Sequence, residues 1–208
     1  MGLILGNLVQ NALKYAGSEV VIATRLNGAG GATAQEERGW QFYTTDRSAY
    51  RRTLDGAVAH SGNSSACLRS QPSTISRSFA LLWQRIDASR YRGQRIRLSG
   101  YLKTSGVTGW TGLWLRVDPK EGPTLEFENM QQRPVVGTGD WKEYSVELNV
   151  AEQAEEIHFG ALLVGSGQIW VDDIELLSVG RFVPGAEELR RARNLPFEPL
   201  DPGFEIPK

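Results

Sequence analysis

From Gly39 onward, apolar and polar residues alternate with a period of two, and the alternating runs are short and divided by glycine, proline or Asn/Asp turns. These runs predict strands at 40–44, 64–70, 77–85, 94–104, 111–118, 124–128, 142–149, 156–164 and 168–178. No helical pattern interrupts them. A parallel α/β sheet needs crossover helices, so this series of strands predicts an all-β sandwich or barrel.

The opening reads differently. Leu5, Leu8, Val9, Ala12 and Leu13 recur at helical spacing, predicting an amphipathic helix over 3–15 that ends at Gly17. A strand over 19–26 follows, and then the small, flexible run Asn27-Gly-Ala-Gly-Gly-Ala-Thr-Ala, the composition of a linker. At the other end, 186–193 reads as one or two helical turns, after which Pro196, Pro199, Pro202 and Pro207 favour an extended arm. The pattern therefore divides the chain into a helix-strand appendage with its linker (1–32), a β module (33–180) and a proline-rich tail (181–208).

Composition narrows the function. The 208 residues are 40% hydrophobic and 23% charged, ordinary for a soluble globular protein with one sizeable core. With 23 basic and 24 acidic residues the net charge is -1, so no global field draws nucleic acid or an anionic membrane. Cys67 has no second cysteine to pair with, and its place in an alternating strand suits a small buried residue. The start lacks a basic n-region, and Asn7, Gln10 and Asn11 interrupt its apolar residues, so the expected location is cytoplasmic.

The stretch Asn7-Leu-Val-Gln-Asn-Ala-Leu-Lys-Tyr resembles the N-box of sensor histidine kinases. The resemblance implies a magnesium role for Asn11, places Asn7 and Lys14 beside the phosphates, and puts Tyr15 near the adenine. It covers only some 25 residues. The Asp-x-Gly-x-Gly box that would cradle the phosphates and read the adenine is absent, and Asp201-Pro-Gly-Phe-Glu lacks the second glycine and precedes no helix. Neither His60 nor His158 stands where a phosphoacceptor would. A kinase-derived fragment without ATP binding or activity is the expectation.

Three phrases in the β module carry a second resemblance: Val58-Ala-His-Ser-Gly-Asn-Ser-Ser, Tyr91-Arg-Gly-Gln-Arg-Ile-Arg-Leu-Ser-Gly-Tyr-Leu-Lys-Thr and Gly167-Gln-Ile-Trp-Val-Asp-Asp-Ile-Glu-Leu. They resemble the galactose-binding-like superfamily, which includes many carbohydrate-binding modules, and this implies a jelly-roll β-sandwich over Gly39 to Val179. Within it, Trp110 to Trp141 looks like bacterial modules that occur beside transcription-regulator domains.

Strand alternation supplies a candidate binding face. In 94–104, Ile96, Leu98 and Leu102 share one side and Arg95, Arg97, Tyr101 and Lys103 the other; in 111–118, Leu113, Leu115 and Val117 oppose Trp114, Arg116 and Asp118. A face offering Tyr101, Trp114, Arg116, His158 and Trp170 has the chemistry of a saccharide site, because the C–H face of a sugar packs on rings while its hydroxyls need flanking donors and acceptors. The competing reading buries the same aromatics under the tail, the opening helix or a second subunit.

Asp172-Asp173 stands where, in the resemblance, jelly-roll sugar modules bind a structural calcium. The first strand, Gly39-Trp-Gln-Phe-Tyr, lacks the acid that would help, although Glu36 and Glu37 are near. Calcium wants six to eight oxygens, so a β-bulge with a hydrogen-bonding aspartate is the other reading. Beyond that calcium no cofactor is indicated. Catalysis has thin support: Glu126 and Glu128 share a strand side with no partner that sets them apart, and His60 reads as a turn residue beside Ser61 and Gly62. The expectation is a non-catalytic module for a small polar ligand or saccharide, which does not bind nucleic acid or membrane. Its alternative is an interaction module that self-associates as a homo-oligomer or docks to a regulatory protein.

Overall fold

In the computed structural model, the described residues are 12–16, 19–24, 40–72 and 78–182, the first two segments as backbone strands. Eleven strands lie among them: β1 (Ala12–Ala16), β2 (Glu19–Thr24), β3 (Trp40–Thr44), β4 (Tyr50–Asp55), β5 (Ser65–Ser70), β6 (Phe79–Asp87), β7 (Gln94–Pro119), β8 (Glu126–Glu128), β9 (Val135–Val150), β10 (Ala154–Val164) and β11 (Gln168–Arg181). All pairings are antiparallel, so no crossover helix is needed between them.

The 26-residue β7 organises the architecture. Its first half pairs with β11 and β9, and its second half pairs with β10 and β8. Between the halves Gly106 adopts a positive φ of 60°, a conformation that costs glycine little, and the strand turns out of one layer into the other. The alternation changes phase across this corner: Ile96, Leu98 and Leu102 point into the core before it, and Leu113, Leu115 and Val117 after it. The two runs expected at 94–104 and 111–118 are therefore one strand serving two sheets. The eleven strands form one hydrogen-bonded sheet that β7 folds into two layers: β4-β5-β11-β7-β9, with β2 also pairing along β11, is called sheet one, and β3-β6-β10-β7, with β8 on the far edge of β7, is called sheet two.

Between the layers lies one apolar core, to which β10 contributes Ile157, Phe159, Ala161 and Leu163, and β11 contributes Ile169, Val171, Ile174 and Leu176. Trp40 meets Phe159 edge-on at 5.9 Å. Burying each such aliphatic side chain stabilises the fold by about 1.5–3 kcal/mol before chain entropy is counted. Cys67 is buried and accepts a hydrogen bond from the Gln168 side chain, and burial raises its thiol pKa, as a packing role requires.

Two expectations change. The helix predicted over 3–15 is contradicted where the structure describes it, since Ala12–Ala16 is a strand paired with β2; the remainder of that stretch lies outside the described residues. Alternation at Leu13 and Tyr15 is as compatible with a hairpin as with a helical stripe, and the β2 partner decides. Lys14 and Tyr15 thus sit in a hairpin, and the N-box reading has no helix to carry it here. Strand β4 was not foreseen, because Arg51, Arg52 and Thr53 leave too few apolar residues to mark an edge strand. The turns expected over 186–193 lie outside the described residues.

Candidate functional site

The register separates the expected site residues onto the two outer faces of the sandwich. On sheet one, Tyr101 lies opposite Asp172, and Trp170 lies between Lys103 and Cys67. On sheet two, His158 lies between Arg116 and Arg85, and Gly160 lies between Trp114 and Trp83. Tyr101 and Trp170 therefore cannot share a groove with Trp114, Arg116 and His158, because the whole core stands between them.

The outer face of sheet one is a closed polar network. Between Asp172 and Glu175 the register of β11 shifts, and Asp173 takes a left-handed φ of 48°, so a bulge carries the aspartate pair. It lies where the neighbour of β11 changes from β5 to β2, and the loop over 56–64 docks into that place. Asp172, 2% exposed, accepts the backbone N–H groups of His60 (2.9 Å), Ser61 (3.1 Å) and Asp173 (2.9 Å). Burial nonetheless holds its carboxyl above the usual carboxylate range. Asp173 faces His60 Nδ1 at 2.8 Å and accepts from Ser61 Oγ at 2.6 Å. The His60 ring stacks on Tyr101 with centroids 3.5 Å apart and meets Trp141 edge-on at 5.8 Å. Trp170 Nε1 donates to Asp55 Oδ2 at 2.8 Å, and that bond holds the Asp55 carboxyl below its usual range.

These bonds bear on calcium. The aspartate oxygens face N–H and O–H donors, whereas a calcium cage needs them directed at one shared point. Among the described residues, no group of three or more His, Cys, Asp and Glu side chains gathers to hold a metal. Every partner named for the Asp172 and Asp173 oxygens is an N–H, an O–H or the His60 imidazole, and the bulge with hydrogen-bonded aspartates describes this geometry; Glu36 and Glu37 lie outside the described residues.

Sheet two carries a different outer face. Trp114, 1% exposed, is packed with Phe79, Leu81 and Leu162, and half-buried Tyr43, Trp83, Trp110 and Val164 lie around them. Of the two readings left open for Trp114, burial holds: its ring forms the floor, while Tyr43, Trp83 and Trp110 form the partly accessible surface. Gly160 makes room there, since a Cβ at that position would collide with the Leu82 carbonyl. One row along the strands the face becomes polar. Arg116 Nε is 2.8 Å from Asp118 Oδ2, and His158 Nε2 is 3.1 Å from Glu156 Oε2 and 3.4 Å from Asp118 Oδ2. The His158 ring stacks on Trp83 at 5.5 Å. Burial first, and then the Arg116 guanidinium, hold the imidazole below its ordinary pKa of 6.5, although Asp118 and Glu156 act the other way. Phe127, 41% exposed, lies across from Arg116 and adds a ring at the edge. Sequence reasoning missed Tyr43, Trp83, Trp110 and Phe127; the signal was there in Leu81-x-Trp83-x-Arg85, whose alternation puts all three on one side of β6.

Comparisons with known proteins bear on this arrangement at two levels. No protein-family profile matches the chain. A Bacillus subtilis (strain 168) protein, the uncharacterized HTH-type transcriptional regulator YbfP, is 35% identical over 168 residues, which is 81% of this chain. The chain spans only 57% of that relative's length. Among solved structures, the N-terminal CBM22-1–CBM22-2 tandem domain of Paenibacillus barcinonensis Xyn10C superposes with a TM-score of 0.54 at 12% identity, over 83% of this chain and 49% of that one. The enzymatically active domain of bacteriophage CBA120 tailspike protein 4 gives 0.53 at 14% identity, over 69% of this chain and 19% of that one. At such identities the likeness is one of fold, the β-sandwich that the strand pattern predicts. Among the described residues no helix is long and apolar enough to cross a membrane.

Proposed function

We propose that this chain is a non-catalytic binding module whose ligand is a saccharide held on the outer face of sheet two. One observation carries the reading: half-buried Tyr43, Trp83 and Trp110 surround buried Trp114 on a single sheet face, and the next row supplies Arg116, Asp118, His158 and Glu156. Rings of this kind take the C–H face of a pyranose, and the charged row takes its hydroxyls. The fold likeness to a tandem of CBM22 modules supports a sugar over other polar ligands. The regulator named among the relatives gives such a module a use, since ligand occupancy could then be an input to transcription. A glycan array, followed by titration of any hit against wild type and Trp83→Ala, tests the proposal. Binding weakened about tenfold or more by loss of the ring agrees with it. A hit that is indifferent to Trp83, Trp110 and Tyr43, or no hit at all, overturns it.

A further inference from the structure

The outer face of sheet two lacks hydrogen-bond partners at its most buried point. His158 is 6% exposed and Trp114 1%, yet His158 Nδ1 and Trp114 Nε1 are both buried with no partner. Arg116 Nε lies within ion-pair distance of Asp118 but makes no hydrogen bond of good direction. The three residues are neighbours in the register, where Arg116 faces His158 and Trp114 faces Gly160. Trp40 Nε1, Tyr91 OH and Thr104 Oγ1 are also buried without partners, Trp40 and Tyr91 within the main core, whereas Trp114 Nε1 and His158 Nδ1 lie side by side on an outer face beside the Arg116–Asp118 ion pair. Buried polar atoms are nearly always paired, so these two mark a surface to be completed by another molecule.

The tautomer follows from the surroundings. Carboxylates of Glu156 and Asp118 both lie on the Nε2 side of His158, so the neutral ring keeps its proton there, and Nδ1 is left as a bare acceptor. Trp83 stacks on the ring and is itself only partly buried, so a sugar packed against Trp83 lies beside the His158 ring. We infer that His158 Nδ1 reads a ligand hydroxyl by accepting its proton in a hydrogen bond, while the Trp114 indole N–H donates to a ligand oxygen. This deepens the saccharide reading and rests on it. It restricts the ligand to sugars with a free hydroxyl at the position that lies beside Trp83, and it excludes those O-methylated there.

A pH dependence follows. The charged groups facing His158 are Glu156 on its own strand, Arg116 and Asp118 on β7, and Arg85 on β6. Protonation converts Nδ1 from acceptor to donor, so affinity falls on acidification. Because burial and Arg116 hold the ring below its ordinary range, the neutral form prevails at pH 7.

The test uses wild-type protein labelled with 15N at histidine and titrated with β-1,4-linked xylo-, gluco- and galacto-oligosaccharides. The expected result is a free-state Nδ1 resonance at the unbonded position that moves to the hydrogen-bonded position on adding sugar, with binding that weakens as the ring protonates. His158→Asn places an amide oxygen near Nδ1 and should keep affinity within about threefold, whereas His158→Gln should lose about tenfold, the worth of one hydrogen bond. Should these variants fail to fold, the wild-type resonance and pH profile decide alone. Sugar binding that needs Trp83 but leaves Nδ1 unmoved and is flat with pH overturns this inference and spares the saccharide reading. Failure of every oligosaccharide to bind overturns both.

Discussion

The two outer faces of the sandwich are made from the same residue types and end in opposite states. On sheet one, Asp172 takes three backbone N–H groups, Asp173 takes His60 and Ser61, Trp170 is tied to Asp55, and Arg95 and Arg97 share Glu147. On sheet two, buried atoms of Trp114 and His158 are left without partners, and partly buried rings surround them. An aromatic and charged surface is therefore no sign of a site by its composition alone. What separates the faces is whether the polar atoms have already been matched from within the chain.

The largest effect should come from the floor of sheet two. Trp114→Ala removes a fully buried ring from a packed cluster and should lower stability by about 3–5 kcal/mol, read as a shift in denaturant midpoint. A loss below about 1 kcal/mol would mean that Trp114 is not the floor and would erase the contrast in burial between the faces. Asp172→Ala comes next. It leaves three backbone N–H groups without their acceptor and should cost on the order of 2–3 kcal/mol, with faster amide hydrogen exchange at His60 and Ser61. Unchanged exchange there would show that the carboxylate does not hold the 56–64 loop.

Smaller changes sharpen the comparison further. Trp83→Ala should cost less than Trp114→Ala, about 1–2 kcal/mol of stability, because the ring is only partly buried, and its larger effect belongs to binding. Acidification gives a signed test. The folded pKa of His158 lies below the unfolded value of 6.5, so the stability it contributes is fully present above that value and is lost as pH falls through the folded pKa. Asp172 has the opposite sign: its folded pKa is raised above 3.8, so its contribution is present below that value and lost as pH rises through the folded pKa. His158→Phe should flatten the loss below pH 6.5, and a profile unaltered by that change would mean the ring is not the group titrating. Smallest of all, a thermal melt should be the same in chelator and in millimolar calcium, since the carboxylates of the bulge are already occupied. A rise in Tm that Asp172→Asn abolishes would restore the metal.

Much of the fold was legible because strand alternation is a local property. Leu113, Leu115 and Val117 had to share a side whatever they packed against, and the turns at glycine and proline gave the strand limits. The site was legible only in part, for a reason that lies in β7. Tyr101 and Trp114 are both outward residues of apparently equal standing, and nothing local reveals that the strand turns a corner at Gly106 and carries them to opposite sides of the core. The pairing of Trp83 with Gly160, and of Gly160 with Trp114, is likewise a fact of register across three strands. The opening segment misled for the converse reason: a few apolar residues fit either period, and the hairpin partner decides.

On this reading sheet two binds and sheet one does not. The most direct measurement is a paired titration of one oligosaccharide ligand against Trp83→Ala and Tyr101→Ala, with both variants first shown to be folded. Trp83→Ala should lose about tenfold or more in affinity while Tyr101→Ala binds like wild type. Loss at Tyr101 with retention at Trp83 would contradict it and move the site to the opposite face.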